Sequence, residues 1–185
     1  MQFRRGLMVL SSLVALGASA QVASGQASLL VSGGASIPMG DYADYAKTGY
    51  VAAVGLMFKV GEKGLSVGAQ GLFGGNSHSD YDGDKTTLLG ALGTVAYRLG
   101  DPAKPGISLV GNLGMLQHKY SSDQFPGEEG SSSGLAYGGG AAFMVPRGNM
   151  SLYAAVRYLM ASIDDETTAF VPITVGVVIP LGSKK

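Results

Sequence analysis

The only two histidines each sit near a hydroxyl and a carboxylate: His78-Ser79-Asp80, and His118 with Ser121 and Asp123 a few residues on. A base, a nucleophile and an acid of these types could serve acyl transfer. Neither spacing, however, holds the base beside the hydroxyl. Just after His78, Asp80-Tyr81-Asp82-Gly83-Asp84 places oxygen ligands at alternate positions, as a Ca²⁺ site would. The EF-hand register then fails, because Lys85 stands where the invariant glycine belongs and Ala91 where the bidentate glutamate belongs. The chain has no cysteine, which excludes a disulfide scaffold, a thiolate metal site and a cysteine nucleophile. The glycines at 138–140 do not make a phosphate loop, since no helix follows them. The expectation is therefore of no catalytic, metal-ligating or cofactor-binding residue. Arg157 stands apart from these candidates, as a lone cation inside a run of alternating apolar and small residues.

The elements around Arg157 follow from composition and period. The chain has 185 residues, 46% hydrophobic and only 14% charged, with 30 glycines. That length holds one domain plus a leader, and the composition is too apolar and too poor in charge for disorder. A formal net charge of zero gives no global field to attract nucleic acid. Beyond the leader no run of 18 apolar residues marks a membrane helix. Alternation of period two recurs instead, in segments of about ten residues. Residues 50–60 group Tyr50, Val54, Leu56 and Phe58 on one face, and 65–73 group Leu65, Val67 and Phe73 against Gln70. Residues 135–145 set Leu135, Tyr137 and Phe143 against glycines. Residues 150–160 set Leu152, Val156 and Tyr158 against Tyr153 and Arg157, and 171–181 set Ile173, Val175 and Val177 against Thr174 and Gly176.

Three further segments, 29–37, 86–99 and 107–120, are less regular, with Leu88, Leu92, Val110 and Leu116 breaking the alternation. The total is eight strands. Tight turns at 61–64, 100–106 and 146–149 alternate with longer polar connections at 38–49, 75–85 and 121–133; only 164–167 is short where a long one is expected. Short turns on one rim and long loops on the other describe an all-β protein, an eight-stranded antiparallel up-and-down transmembrane β-barrel over residues 28–181.

The charges decide which face meets lipid. All thirteen acids fall in the segments predicted as loops or turns, and only Lys59, Arg98, Lys119 and Arg157 among the bases lie in predicted strands. A water-facing surface would carry charge along its length. The face opposite the apolar one is instead mostly Gly, Ala, Ser and Thr, which suits the cramped interior of an eight-stranded barrel. On the outward parity, Tyr50, Phe73, Tyr137 and Tyr158 fall toward the long-loop end and Phe58, Tyr97 and Phe143 toward the short-turn end, as two aromatic girdles. Tyr50 and Phe58 lie about 26 Å apart along a strand, or about 20 Å vertically at a tilt of ~40°, close to the ~25 Å apolar band of such barrels. The long-loop rim carries a net charge of −8 and the short-turn rim +5. The acidic rim is accounted for by solvation, by divalent cations bridging lipopolysaccharide phosphates, or by attraction of cations to a pore mouth.

Gln70, Asn112, Tyr153 and Arg157 are the polar residues expected inside. No strand acid is available to Arg157, and a buried unpaired charge is costly. It must therefore meet water, Tyr153, Gln70, a backbone carbonyl or an acid folded in from a loop. One expectation is a narrow wet column walled by Arg157 and Asn112; the other is a plugged polar core.

The N-terminus reads as a secretory signal over residues 1–20: Arg4 and Arg5, an apolar run from Leu7 to Leu16, and the small-x-small site Ala18-Ser19-Ala20. An alternative cut follows Ala27. Residues 182–185 form a short basic tail. Together with the opening Gly33-Gly34-Ala35-Ser36-Ile37-Pro38-Met39-Gly40-Asp41-Tyr42, the mature chain resembles the small bacterial outer-membrane barrels of the OmpA-like, OmpW-like and opacity-like group. The resemblance implies a place in the outer membrane, contact with its lipids and lipopolysaccharide, and insertion by the outer-membrane assembly machinery. It departs in the last strand, which runs Ile179-Pro180-Leu181 and lacks the family's terminal aromatic. No peptidoglycan-binding domain follows, so an anchoring role of that kind is not expected. The functional expectation is a non-enzymatic structural or porin-like barrel without cofactor. The alternatives are an OmpW-like carrier of small apolar ligands and a lipid-modifying enzyme.

Overall fold

The structure, a computed structural model, describes residues 27–79, 83–122, 130–163 and 166–182. Eight strands follow one another: β1 (Ala27–Met39), β2 (Gly49–Val60), β3 (Leu65–Ser77), β4 (Lys85–Arg98), β5 (Gly106–Ser121), β6 (Gly130–Arg147), β7 (Met150–Ile163) and β8 (Glu166–Leu181). Each pairs antiparallel with its neighbours in sequence, and β1 pairs with β8 from Ala27↔Leu181 to Met39↔Ala169, closing the barrel. Closure leaves no free strand edge, the condition for spanning hydrocarbon with strands. The leader (1–20, with either cut) and residues 183–185 of the basic tail lie outside the described residues.

Alternation fixes the two faces. Val54, Leu109, Leu113, Leu135 and Val156 all point outward, and Val175 is the most open of the outward apolar side chains at 65% exposure. Glycine makes the tight turns, with positive φ at Gly61 and Gly64 (65° and 79°) between β2 and β3. Glycine also allows strands to crowd inside. A Cβ on Gly140 would lie 2.1 Å from the Val156 carbonyl oxygen and 2.6 Å from the Cα of Arg157.

The strands run further at the long-loop end than alternation alone indicates. β3 continues to Ser77, β6 starts at Gly130, and β8 starts at Glu166. These extensions are polar, with Gln117 paired to Ser133 and Ser162 to Thr167. Beyond the apolar band no apolar face is needed, so hydroxyl-bearing residues keep the ladder while the hydropathy signal fades. The segment expected as loop at 38–49 also contains a short helix, α1 (Tyr42–Tyr45).

Candidate functional site

The barrel interior divides into two halves of opposite character. Toward the long loops it is apolar: Leu72, Leu88, Leu92, Leu116, Leu159 and Phe170 point inward and are almost wholly buried, forming one cluster with Val51, Ala136 and Ala161. The side chains that break the alternation in β4, and Leu116 in β5, are therefore part of a packed plug. A continuous wet column along the barrel is not what forms, and neither is a polar core throughout. Every strand from β2 to β8 turns one or more apolar residues inward at this level, and together they fill the lumen.

Tyr42 of α1 caps the plug, buried to 1% exposure. Its ring stands edge-on to Tyr45 (5.5 Å between centroids) and to His118 (6.1 Å). Burial pushes the Tyr42 hydroxyl well above the ordinary phenol range, with the nearby Thr86 hydroxyl acting in the opposite sense. The helix is tied down from below. Buried Asn76 donates its Nδ2 to the Ser36 carbonyl (3.1 Å) and the Lys47 carbonyl (2.8 Å), while its Oδ1 accepts from the Ser36 hydroxyl (3.2 Å). Lys47 N–H donates to the Ser77 carbonyl, and Ser79 N–H to the Tyr45 carbonyl.

The two histidines, separate in sequence, meet in this cap. Thr86 Oγ1 lies 2.7 Å from His78 Nε2 and 3.0 Å from His118 Nε2. The strand register brings this about, since Leu88 pairs with His118 and Asn76 with Thr86. The hydroxyl beside the histidines is thus Thr86, not Ser79 or Ser121. It is wholly buried, and the rings of Tyr42, Tyr45 and Tyr120 pack against the two histidines. Asp84 accepts a hydrogen bond from the Tyr120 hydroxyl (2.5 Å). Hydrogen bonds from Ser122 and then Tyr120 hold the Asp84 carboxyl below its usual value. Of the calcium-like segment, Asp80, Tyr81 and Asp82 lie outside the described residues, and Asp84 is occupied in this contact.

Toward the short turns the lumen is a cavity of about 500 Å³. Its mouth lies among Gly61, Glu62 and Gly64 of the β2–β3 turn and Pro102 of the β4–β5 turn. Its wall is largely apolar, from Leu30, Met57, Val110, Ala142, Met144 and Val178. Its inner end is polar, where Gln70, Thr94, Tyr153 and Arg157 line it. All four residues expected inside are buried here: Gln70 at 4%, Asn112 at 6%, Tyr153 at 8% and Arg157 at 2% exposure. Asn112 donates to Thr94 Oγ1 (2.8 Å) and offers its Oδ1 to Arg157 Nη1 at 3.5 Å, the outer limit of a hydrogen bond. Nε and Nη2 of Arg157 and Nε2 of Gln70 have no hydrogen-bond partner among the described residues. Gln70 and Tyr153 do not supply the Arg157 partner considered from sequence; Asn112 does, weakly. Arg98, by contrast, is spent on structure, donating to the carbonyls of Gly106 (2.7 Å), Lys104 and Met144 and so fixing the β4–β5 turn.

On the outside, Tyr50, Phe73, Tyr97, Tyr137, Phe143 and Tyr158 are all exposed, and Phe58 is half-buried. Tyr50 and Phe73 face each other across β2 and β3 with ring centroids 5.9 Å apart.

A closed up-and-down barrel, apolar outside and ringed by aromatics, is the architecture of a bacterial outer-membrane protein. The family model described as outer membrane protein beta-barrel domain matches residues 8–178, and the chain belongs to that family. Among solved structures it is similar to Neisserial surface protein A, at 10% identity over 84% of this chain and 97% of that one (TM-score 0.63). It is also similar to the attachment invasion locus protein Ail of Yersinia pestis, at 20% identity over 84% and 99% (TM-score 0.55). A major outer membrane protein of Thermus thermophilus matches at 13% identity over 85% and 100% (TM-score 0.54). At these identities the likeness is one of fold. No curated protein matches the sequence.

Proposed function

We propose that this protein is a structural, surface-displaying barrel of the bacterial outer membrane that does not conduct in its resting state. The observation that carries this reading is the plug: six large apolar side chains and Tyr42 fill the long-loop half of the lumen. Ions do not pass a dry, close-packed segment of this kind, because it offers nothing to replace their hydration. The outward apolar face contacts outer-membrane lipid, and the acidic long-loop rim faces outward toward lipopolysaccharide and its divalent cations. Export relies on the leader at residues 1–20, and insertion on the outer-membrane assembly machinery. The chain works without cofactor and without catalysis, since the one grouping of base and hydroxyl among the described residues is sealed in the cap. Planar-bilayer recording of refolded protein tests the reading. The expected trace is flat; sustained unitary steps from correctly folded protein would overturn it. A carrier role is a second reading, favoured by the cavity in the short-turn half.

A further inference from the structure

We infer that the short-turn half of the barrel is a binding site for a small amphipathic carboxylate, which enters from the short-turn side with its anionic head toward Arg157.

Three observations meet at this cavity. The first is Arg157 itself, 2% exposed, with Nε and Nη2 lacking a hydrogen-bond partner among the described residues and its hydrogen bond to Asn112 stretched to 3.5 Å. A buried guanidinium without an anion is a standing electrostatic deficit, and among the described residues no acid lies against it. Its planar fork matches a carboxylate through two parallel hydrogen bonds. Gln70 lines the same end, and its Nε2, buried and without a partner among the described residues, adds a neutral contact to the same head.

The second observation is the wall between Arg157 and the mouth. Leu30, Met57, Val110, Ala142, Met144 and Val178 present an apolar sleeve that suits an alkyl or aryl body and not a bare inorganic ion. At about 500 Å³ the space falls within the ~300–1,000 Å³ of small-molecule sites. The plug of Leu72, Leu92 and Phe170 closes the other side, so the site is blind and the ligand has one orientation.

The third is the rim. Lys59, Lys63, Arg98, Lys104 and Arg147 outnumber Glu62 and Asp101 among the described residues there. A net positive mouth concentrates anions at the entrance. The sequence of interactions is then attraction at the rim, apolar burial in the sleeve and pairing at Arg157. The same chemistry could come from a short fatty acid released in the envelope or from a free aromatic acid.

Octanoate labelled with ¹³C at the carboxyl, followed by NMR on the full mature chain refolded into phospholipid nanodiscs, tests the inference. Empty nanodiscs supply the partitioning background, and 4-phenylbutyrate tests the aryl source. Saturable one-to-one binding is expected, with no competition from 1-octanol and at least tenfold weakening in both Arg157→Met and Val110→Phe. Arg157→Met removes the charge and keeps an unbranched apolar stem. Val110→Phe fills the sleeve and leaves Arg157 untouched, so a folding defect in one variant does not mask the other. Mobility of the unheated protein on gels confirms the fold of each. Equal uptake by wild type, Arg157→Met and empty nanodiscs would overturn the site. Binding kept in Arg157→Met, or displaced by inorganic phosphate at equal concentration, would overturn the amphipathic carboxylate as its ligand. Because binding and conductance are read separately, failure here does not disturb the proposed function, and a conducting barrel would remove the blind end independently.

Discussion

The two halves of the lumen use the same strands and the same inward parity for opposite ends. In the long-loop half the inward residues are mostly large and apolar, and they meet across the lumen; in the short-turn half apolar side chains line the wall without filling the lumen, and polar ones close its inner end. β7 shows the contrast within one strand. Leu159 and Ala161 belong to the plug, whereas Tyr153 and Arg157 belong to the cavity. Packing stabilises the first half, where dispersion and burial favour a filled lumen. The second half carries a desolvated guanidinium, a cost that a structural role alone does not explain. Stability and ligand chemistry are thus separated along the barrel axis.

Substitutions in the plug, on the lipid face and in the cavity should differ in size and in sign. Phe170→Ala, in the plug, should cost about 3–5 kcal/mol by the cavity it leaves, read as a drop in the urea midpoint of unfolding from lipid vesicles. Val175→Arg on the lipid face should cost about 2–4 kcal/mol if it lies near the bilayer midplane. A negligible change there would invert the assignment of inside and outside. Arg157→Met, also buried, should behave oppositely, leaving the protein unchanged or about 1–4 kcal/mol more stable, because an uncompensated charge is replaced by an apolar side chain of similar length. A loss as large as that of Phe170→Ala would mean that Arg157 has a structural partner, and the two halves would no longer differ in kind.

The outer surface is legible in the sequence because every strand repeats it. Val54, Leu109, Tyr137 and Val175 each follow a period that needs no neighbour to be recognised. The plug is not, because each of β2 to β8 contributes only one to three inward apolar residues, and Leu88, Leu92, Val110 and Leu116 read as lapses in pattern until closure brings most of them together. Val110 shows the limit of even that correction, since it lines the cavity and not the plug. Arg157 stands out in sequence as a strand cation without an acid. Its partner Asn112 lies 45 positions away and not on an adjoining strand, so only the barrel supplies the pairing. The cap is hidden for the same reason: α1 is a single turn, and the meeting of His78 and His118 at Thr86 depends on strand register.

The mildest change is expected in the cap. The folded Asp84 carboxyl titrates lower than the unfolded one, so its contribution to holding the loop is present above the ordinary aspartate pKa of ~3.9 and is lost as pH falls through the folded value. Amide exchange at residues 83–86 should therefore quicken at acid pH while the strands below stay protected. Tyr120→Phe should move the onset of that change to higher pH, and an unchanged onset would show that the cap does not depend on this contact.

A lumen blind toward the long loops and open toward the short turns is accessible to a water-borne reagent from one side of the membrane only. The chain has no cysteine, so a Ser66→Cys variant carries a single, half-buried thiol on the cavity wall. In oriented proteoliposomes a small charged methanethiosulfonate reagent should modify this thiol from the short-turn side alone. Modification at a comparable rate from the long-loop side would contradict the two-halved interior.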